Sequence, residues 1–494
     1  MKLNDDQKRA VATNERRVLV LAGPGSGKTR VITERVNYLV RERGVSGRDI
    51  LLLTFTRRAA AEMQSRISEA VGERETRKMW IGTFHAVCLR ILREYGEKLG
   101  YKPETLTVYD QSDQRAVIDD IIAARGEKVK ITALYEIMQA FGTQGWNAIE
   151  TYRGEHPREC SVFDEYRMRL RENNAVDYGL ILAEVQRLFS EHPYVLAYYH
   201  AKFPHVLIVE YQDTDRLQYE LHSAIDPEYL FLVGDSDQAI YSFRGATLDV
   251  LLNFDADNFG ATTLELPVCY RCSRAVVNAA NLLIANNQRR IAKSIIAARD
   301  TVGRVSVARH QDVETEAQRI VEEVRSVLDD GHAPSDIAIL ARTRKWLQAI
   351  SDALTADGVP TECIDRENDF YLKPDVKLFH AWLTLAVNDR DNLAFLRVRR
   401  SLGIDDLLYA QIRLHATRNE QSHEQAAVSM LGRPLFDPKV REQNGKSLLL
   451  WSSTLLMTDD LAPATVTELR QRISKWIETG SDDVHEYLLW LQQR

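Results

Sequence analysis

A glycine-rich loop between an apolar run and a helical pattern is the feature that most constrains this chain. The apolar run is VLVL at residues 18–21, and the loop that follows it is AGPGSGKT at residues 22–29. A short run of Val and Leu predicts a buried parallel strand, and the apolar spacing after the loop predicts a helix over residues 29–40. A strand, a glycine loop and a helix in this order predict an α/β unit that binds phosphate groups at the start of the helix.

Each residue type in this loop suits the phosphates of a nucleotide. Gly23, Gly25 and Gly27 allow backbone N–H groups to approach phosphate oxygens closely. The Lys28 ammonium can reach the terminal phosphates, and the Thr29 hydroxyl can ligate Mg²⁺. We therefore expect ATP and Mg²⁺ as cofactors. The predicted nucleotide site also takes in Ser26 and Arg30.

An acidic residue directly after a second apolar run provides a candidate general base. The run is VLIV at residues 206–209, and Glu210 follows it, with Gln212 and Asp213 nearby. An ATP-hydrolysing site needs a group that activates water at such a strand end. By itself, this segment is better explained as an acidic residue that solvates a turn. The phosphate loop upstream favours the catalytic interpretation of Glu210.

Further apolar runs predict the rest of a sheet. Residues 50–54 read ILLLT and residues 229–233 read YLFLV, and a helical pattern covers residues 59–67. Strands that alternate with helices predict a parallel, doubly wound sheet, so the expected fold class is α/β.

Changes of pattern along the chain predict its domain organisation. Charged sequence with a helical period replaces long apolar runs between about residues 90 and 200, whereas residues 304–307 and 336–341 predict two more buried strands. The predicted divisions are an ATP-binding domain of residues 1–89 and 196–270, a helical insertion of residues 90–195, a second α/β domain of residues 271–395 and a helical region of residues 396–494.

Composition limits the classes of partner. The net charge of −7 means that a nucleic acid would have to bind a local basic groove and not a general basic coat. The five scattered cysteines argue against a disulfide framework and for a reducing compartment. Neither a signal peptide nor a run of the ~20 apolar residues that a membrane helix needs is present. We therefore expect a cytoplasmic protein without a membrane partner.

Several segments, taken with the phosphate loop and the acidic strand, resemble the motifs of UvrD/Rep-like superfamily 1A DNA helicases. LNDDQ at residues 3–7 looks like the family's adenine-reading glutamine motif. TFTRRAAAEM at residues 54–63 resembles its TFTNKAAxEM single-strand DNA motif, and TFH at residues 83–85 resembles a second DNA-contacting motif. VGDSDQAIYSFRGA at residues 233–246 is similar to VGDxxQSIYxWRGA. Tyr270-Arg271 stands where the family stacks a tyrosine on adenine and directs an arginine at the γ-phosphate.

The resemblance implies a RecA-like motor domain with a helical insertion, a second partial RecA-like domain and a helical C-terminal region. It implies catalytic roles for Glu210, Lys28, Gln238, Arg244 and Arg271. It adds Gln7 and Tyr270 to the nucleotide site. It implies DNA contacts from Thr54, Phe55, Arg57, His85, Tyr241 and Phe243. Aromatic rings suit stacking on unpaired bases, although an isolated aromatic residue is more often part of a core.

Three departures from the family pattern stand out. Val209 replaces the aspartate that precedes the catalytic glutamate, and valine cannot hold a metal-bound water. Phe243 replaces a tryptophan, which retains an aromatic face. The family's last two motifs, TxHxxKGLE and the TRA-type arginine motif, do not occur up to Arg494.

The leading hypothesis is an ATP-dependent 3′–5′ DNA helicase or translocase that acts on single-stranded or partially duplex DNA in repair or replication. The alternative is a degenerate or truncated ATP- and DNA-binding subunit that works with a protein partner and does not unwind DNA by itself. A metabolic kinase with the same loop is a weaker hypothesis, because it would leave the series of DNA motifs to coincidence.

Overall fold

The computed structural model describes residues 2–103, 106–258, 260–362, 370–456, 462–478 and 480–492. The chain forms two compact units, Met1–Val305 and Ser306–Arg494.

The first unit is built on a six-stranded parallel sheet with the strand order β3-β2-β6-β7-β1-β8. The strands of this unit, including those of two short ladders, are β1 (Arg17–Ala22), β2 (Ile50–Thr54), β3 (Trp80–Thr83), β4 (Thr107–Tyr109), β5 (Ala175–Asp177), β6 (His205–Val209), β7 (Tyr229–Gly234), β8 (Thr262–Leu266), β9 (Val268–Cys269) and β10 (Ile296–Ala297). Leu19 of β1 pairs with Leu232 of β7 on one side and with Thr263 of β8 on the other. All the paired strands run parallel, so the loops after β1, β6 and β7 leave from one edge of the sheet.

Helices of the first unit cover both faces of the sheet and form most of the segment between β3 and β6. They are α1 (Asp5–Ala12), α2 (Lys28–Arg41), α3 (Arg57–Val71), α4 (Glu73–Thr76), α5 (Phe84–Tyr95), α6 (Gln111–Arg125), α7 (Ile131–Gln144), α8 (Ala148–Arg153), α9 (Pro157–Glu172), α10 (Tyr178–Glu191), α11 (Pro193–Lys202), α12 (Arg216–Ile225), α13 (Asp249–Leu252), α14 (Phe254–Asp257) and α15 (Arg274–Ile284). Short 3₁₀ turns occur at Gly47–Asp49, Gly96–Leu99, Tyr211–Asp213, Ser236–Gln238 and Ser242–Arg244.

Burial on both faces explains why the central strands are continuous apolar runs. Val20 and Leu52 on one face pack in a core that also holds Ile32 of α2. Leu53 on the opposite face borders a small apolar cavity beside Phe84 of α5. Strands covered on both sides do not show the alternation of polar and apolar residues that a half-exposed strand shows.

The strands predicted at residues 18–21, 50–54, 206–209 and 229–233 are confirmed as β1, β2, β6 and β7. The helices predicted at residues 29–40 and 59–67 are confirmed as α2 and α3. The sequence analysis did not predict β8, whose TTLEL pattern has only its third and fifth residues buried. That pattern is typical of an edge strand with one exposed face.

Helices α6 to α10 occupy most of residues 90–195, where a helical insertion was predicted. A short parallel ladder of β4 and β5, which the sequence did not reveal, joins the two ends of this region. The limits of the insertion stay a prediction.

The second unit is helical in the ranges that the structure describes. Its helices are α16 (Val313–Asp329), α17 (Arg344–Ala356), Pro374–Val387, Asn392–Val398, Asp406–Asn419, His423–Leu431, Pro438–Asn444, Leu448–Leu455, Pro463–Ile477 and Val484–Gln492. Short 3₁₀ turns occur at Pro334–Asp336 and Phe370–Leu372. None of the helices in the described ranges of the whole chain combines the length and the apolar character that crossing a bilayer requires.

The strands predicted at residues 304–307 and 336–341 are wrong, because neither segment is a strand in the structure. Ile337 and Ile339 pack on the apolar cluster of α16 and α17, but Val307 is 95% exposed and Leu340 is 93% exposed. An apolar run becomes a strand only when neighbouring strands bond its N–H and C=O groups. Neither segment forms such a ladder, so the partition of residues 271–395 as a second motor domain stays a prediction.

We predict that Leu232→Ala lowers the free energy of unfolding of the first unit by about 2–5 kcal/mol, since it leaves a cavity in the central strand β7. The Leu232 side chain is fully buried. Denaturant unfolding followed by circular dichroism measures the change. Leu282→Ala is the matched control, because Leu282 is 75% exposed and its loss is expected to change stability by less than about 0.5 kcal/mol. Equal effects of the two substitutions would contradict the packing described here.

Candidate nucleotide and nucleic-acid site

Three loops meet at the carboxyl edge of the sheet. The phosphate loop follows β1, the acidic segment at Glu210 follows β6, and Asp235 follows β7. In open parallel sheets, ligands bind at this edge because all the strand ends point to it. The fold therefore brings together segments that are about two hundred residues apart in the sequence.

The phosphate loop has the backbone conformation that its glycines permit. Gly25 has φ +67° and Gly27 has φ +89°, both in the left-handed region. Gly27 is the N-cap of α2 and makes no side-chain cap, so it leaves the first N–H groups of that helix available to an anion. Thr29 and Arg30 lie in the first turn of α2, and both are half-buried.

The segments that follow β8 and α15 approach this loop closely. A Cβ atom placed on Gly25 would lie 2.6 Å from the Arg271 Cβ, and one placed on Gly23 would lie 2.2 Å from the Ile295 Cδ1. The Tyr270 N–H donates a hydrogen bond to the Gly25 carbonyl oxygen at 2.9 Å. Glycine is thus needed at these positions for space as well as for conformation.

Lys28 contacts both Glu210 and Gln238 directly. The Lys28 Nζ lies 3.1 Å from the Glu210 Oε2 and donates a hydrogen bond to the Gln238 Oε1 at 2.9 Å. The Gln238 Nε2 in turn donates to the Asp235 Oδ2 at 2.6 Å. Of the predicted catalytic residues, these three are joined at the carboxyl edge of the sheet.

Gln212 holds the predicted base in position. Its Nε2 donates to the Glu210 Oε2 at 2.9 Å, and its Oε1 accepts the Asp235 backbone N–H at 2.9 Å. Glu210 itself has φ +56°, an unusual conformation for a residue with a side chain. Such strain persists where the surrounding structure determines it and is frequent at functional sites.

The predicted adenine-side residues are also close together. The Gln7 Nε2 donates to the Ser26 carbonyl oxygen at 2.9 Å, and the Asn4 Nδ2 donates to the Tyr270 hydroxyl at 2.8 Å. Asn4 and Gln7 form a capping box at the start of α1, which fixes their orientation. The start of the chain and Tyr270 therefore both contact the nucleotide loop or its neighbours.

Arg244 lies beside the aromatic rings of the loop after β7. Its guanidinium group is 5.1 Å from the centre of the Tyr241 ring and 5.7 Å from that of Phe243. The structure thus stacks Arg244 on the aromatic side chains, whereas Lys28 and Gln238 contact each other. A role for Arg244 at the γ-phosphate stays a prediction that this geometry does not support. The exposed Arg271 is beside the loop, through its Cβ contact at Gly25.

Three aromatic residues, here called the aromatic row, lie side by side near the nucleotide site. The ring centres of Phe55 and Tyr241 are 4.8 Å apart, and those of Tyr241 and Phe243 are 5.9 Å apart. Phe243 is 63% exposed, so its ring presents an open face to solvent. The Gln139 side chain donates to the Phe243 carbonyl oxygen at 2.9 Å and anchors this end of the row.

A second group of predicted DNA-binding residues gathers around Tyr178. The Arg57 Nη2 donates to the Tyr178 hydroxyl at 3.1 Å, and the His85 ring packs edge-on against the Tyr178 ring at 5.6 Å. Burial, together with the nearby Arg57 charge, lowers the pKa of His85 to about 4. His85 is therefore neutral at neutral pH and serves as a ring, not as a cation. Thr54, also predicted to contact DNA, is instead buried at the end of β2.

The sequence analysis missed Tyr178 and a buried ion-pair cluster. Tyr178 is 43% exposed at the start of α10, and only its position after the helix-capping Asp177 distinguishes it in the sequence. In the cluster, Arg290 donates twice to Asp237 at 2.8 Å, and Lys293 bonds both Asp235 and Asp237. These basic residues resemble a solvated stretch in the sequence, and only the fold shows that they hold the loop after β7.

Magnesium would have few protein ligands here. Among the described residues, no group of three or more His, Cys, Asp or Glu side chains could hold a metal ion. The Thr29 hydroxyl stands at the start of α2, and Glu210 and Asp213 are the carboxylates after β6. A hydroxyl and one or two carboxylates suit Mg²⁺, which is usually bound with nucleotide phosphates and retained waters.

Comparison with known proteins agrees with this arrangement. Residues 3–258 match the model of the UvrD/REP helicase N-terminal domain. The chain belongs to the UvrD/REP helicase family. Residues 264–419 match the UvrD-like helicase C-terminal domain as well. The N-terminal match of this UvrD/REP family member includes Lys28, Glu210 and the three residues of the aromatic row.

Two curated relatives are ATP-dependent DNA helicases named PcrA. The protein of Staphylococcus epidermidis strain RP62A is 31% identical over 433 residues, which cover 85% of this chain and 59% of the relative. The protein of Staphylococcus aureus strain Mu50 is 31% identical over 405 residues, which cover 80% of this chain and 55% of the relative. This UvrD/REP chain therefore spans less than two thirds of the length of either relative.

We predict that Gly25→Ala abolishes nucleotide binding, since its Cβ would collide with Arg271 and push apart the loop and the Tyr270 segment. Titration of a fluorescent ATP analogue measures the affinity. Gly44→Ala is the matched control, because Gly44 has φ +68° and nothing within 4 Å of the added Cβ. Both substitutions impose the same backbone strain of about 1–2 kcal/mol, but only the first is expected to lose ATP. Comparable nucleotide affinities in the two variants would show that the close approach is unimportant.

Proposed function

We propose that this chain is an ATP-driven motor that moves 3′ to 5′ along single-stranded DNA and acts as a helicase in DNA repair or replication. The observation that carries the proposal is the loop after β7. Gln238 of this loop contacts Lys28, and Tyr241 and Phe243 of the same loop belong to the aromatic row. Only a few residues therefore separate the nucleotide site from the surface suited to unpaired bases.

The nucleotide half of the proposal assigns one task to each side chain. Lys28 would bind the terminal phosphates and neutralise developing charge, and Glu210 would accept a proton from the attacking water. Gln212 orients Glu210 through its hydrogen bond. Tyr270 and Gln7 would bound the adenine. Thr29 would hold Mg²⁺, which, when bound with ATP, neutralises phosphate charge.

The DNA half of the proposal rests on the aromatic row and its surroundings. Base stacking on an exposed aromatic ring contributes about 1–3 kcal/mol per base and tolerates any sequence. The Arg57 side chain beside Tyr178 is a candidate for the phosphate backbone, which basic side chains bind without reading sequence. Local basic groups of this kind are compatible with the negative net charge of the whole chain.

The ion pair of Lys28 offers a route from one half to the other. In the structure, the Lys28 ammonium is shared between Glu210 and Gln238. Phosphate groups would compete for this ammonium and release Gln238, which begins the loop that carries Tyr241 and Phe243. ATP binding and release would thus shift the position of the aromatic row relative to the bound strand.

In this proposal the first motor domain is residues 1–89 and 196–270, the insertion is residues 90–195, the second motor domain is residues 271–395 and the remaining helical region is residues 396–494.

A second candidate function is an ATP- and DNA-binding subunit that needs a protein partner to unwind DNA. The apolar Val209 beside the base favours it, and so do the uncovered apolar residues of the second unit.

The two candidates differ in ATP turnover. We expect the purified chain to hydrolyse ATP and oligo-dT to stimulate the rate, measured by phosphate release. Lys28→Ala is the negative control for contaminating ATPases. Turnover that appears only in Val209→Asp would favour the subunit with an incomplete site, and the absence of turnover in both forms would exclude an autonomous motor.

The aromatic row generates a separate prediction for DNA affinity. Phe243→Ala is expected to weaken binding of labelled oligo-dT by about 1–3 kcal/mol in fluorescence anisotropy, because it removes an exposed stacking face. Phe243→Trp is expected to retain the affinity. Tyr194→Ala is the control, since Tyr194 is 55% exposed and packs against His192 on α11. A loss of affinity as large in the Tyr194 variant would place the strand elsewhere.

A further inference from the structure

We propose that Asp213 supplies the metal-facing carboxylate of the ATP site, in place of the strand-end residue Val209. This inference rests on the proposed function and names a positioning residue within that site. Asp213 and Thr29 would then be the two side chains that face the Mg²⁺ of the bound nucleotide, with Glu210 left as the base.

Val209 cannot take part in holding a cation. It is the last residue of β6, pairs with Val233 of β7 and is 5% exposed. Its side chain belongs to the hydrophobic core under the sheet, together with Val20 and Val31. An isopropyl group offers no oxygen, and Mg²⁺ requires oxygen ligands.

Asp213 stands one turn further along the same loop. It ends the 3₁₀ turn Tyr211–Asp213, and its N–H donates to the Glu210 carbonyl oxygen at 3.0 Å. The residue is 7% exposed, so its carboxylate is largely shielded from bulk water. Its backbone bond to Glu210 keeps the two carboxylates on the same short turn at the carboxyl edge of the sheet.

The Asp213 carboxylate is buried without adequate partners. Among the residues that the structure describes, its Oδ1 has no hydrogen-bond partner, and its Oδ2 accepts only a long bond of 3.4 Å from the Gln212 side chain. Burial and the neighbouring Glu210 charge, partly opposed by Lys28, raise the pKa of Asp213 to about 7. Buried carboxylates are normally paired or coordinate metals, so the unpaired oxygen of Asp213 requires a function.

Nucleotide binding would draw positive charge away from the turn that carries Glu210 and Asp213. In the structure, the single Lys28 cation lies 3.1 Å from Glu210. If phosphate groups attract Lys28, two neighbouring carboxyl groups remain on one turn with less positive charge beside them. A divalent cation on the phosphates is then the natural counter-charge for Asp213.

Asp215, two residues further on, is a second buried carboxylate with which the hydrogen bonding of Asp213 can be compared. Burial also raises its pKa to about 7. However, its Oδ1 accepts the Gln218 N–H at 2.8 Å and its Oδ2 accepts the Gln218 Nε2 at 2.6 Å, so it caps α12 with both oxygens satisfied. Both residues are therefore buried, but of these two only Asp213 has an oxygen without a hydrogen-bond partner among the described residues.

The experiment compares the affinity of the full chain for a fluorescent ATP analogue in Mg²⁺ and in EDTA. Asp213→Asn is expected to reduce the gain in affinity due to Mg²⁺, the ratio of the affinities in the two buffers, by about tenfold or more. Asp215→Asn should retain the gain. The double variant Val209→Asp, Asp213→Asn should recover it, because a carboxylate returns to the same edge.

Each remaining outcome is decisive. If Asp213→Asn retains the gain from Mg²⁺, the inference is overturned. A loss that neither Val209→Asp nor the conservative Asp213→Glu restores would assign Asp213 a structural role, which also overturns it. Circular dichroism checks that each variant folds. If the double variant does not fold, the result for Asp213→Glu alone decides whether Asp213 faces the metal or has a structural role. An unmodified chain that binds no nucleotide in either buffer would instead overturn the proposed function itself.

Discussion

The contact of Lys28 with Glu210 and Gln238 is the interaction on which the proposed chemistry of the first unit depends. It joins the loops after β1, β6 and β7, and the parallel sheet is what brings these three loops to one edge. Gln212 and Asp235 extend the contact through hydrogen bonds between the last two loops. A change at any member of this group therefore affects both the phosphate loop and the segment that carries the aromatic row.

Val209 changes the electrostatics of this edge without disturbing its packing. Its side chain completes the apolar core, and the neighbouring Glu210 keeps its hydrogen bond from Gln212. A site that loses one carboxylate from the strand end still has Asp213 on the following turn. In our proposal, the difference between a working motor and a binding subunit depends on the buried carboxyl group of Asp213, and not on the fold.

The loop after β7 is held from outside the sheet as well. Arg290 and Lys293, which follow α15, form buried ion pairs with Asp235 and Asp237. Breaking a buried pair by removing one partner is strongly destabilising, because an uncompensated charge remains. The loop that links Gln238 to the aromatic row is therefore anchored at its start, and its far end carries the exposed Phe243 ring.

The sequence by itself determined the phosphate loop, the four central strands and the helix that follows each of the first two. These features depend on residues close together in the chain, such as the glycines and Lys28 between β1 and α2. Only the tertiary structure decided that Arg244 stacks on aromatic rings, that Thr54 is buried and that the runs at residues 304–307 and 336–341 form no ladder. The reason is that stacking, burial and strand pairing depend on partners distant in sequence, which a local pattern does not specify.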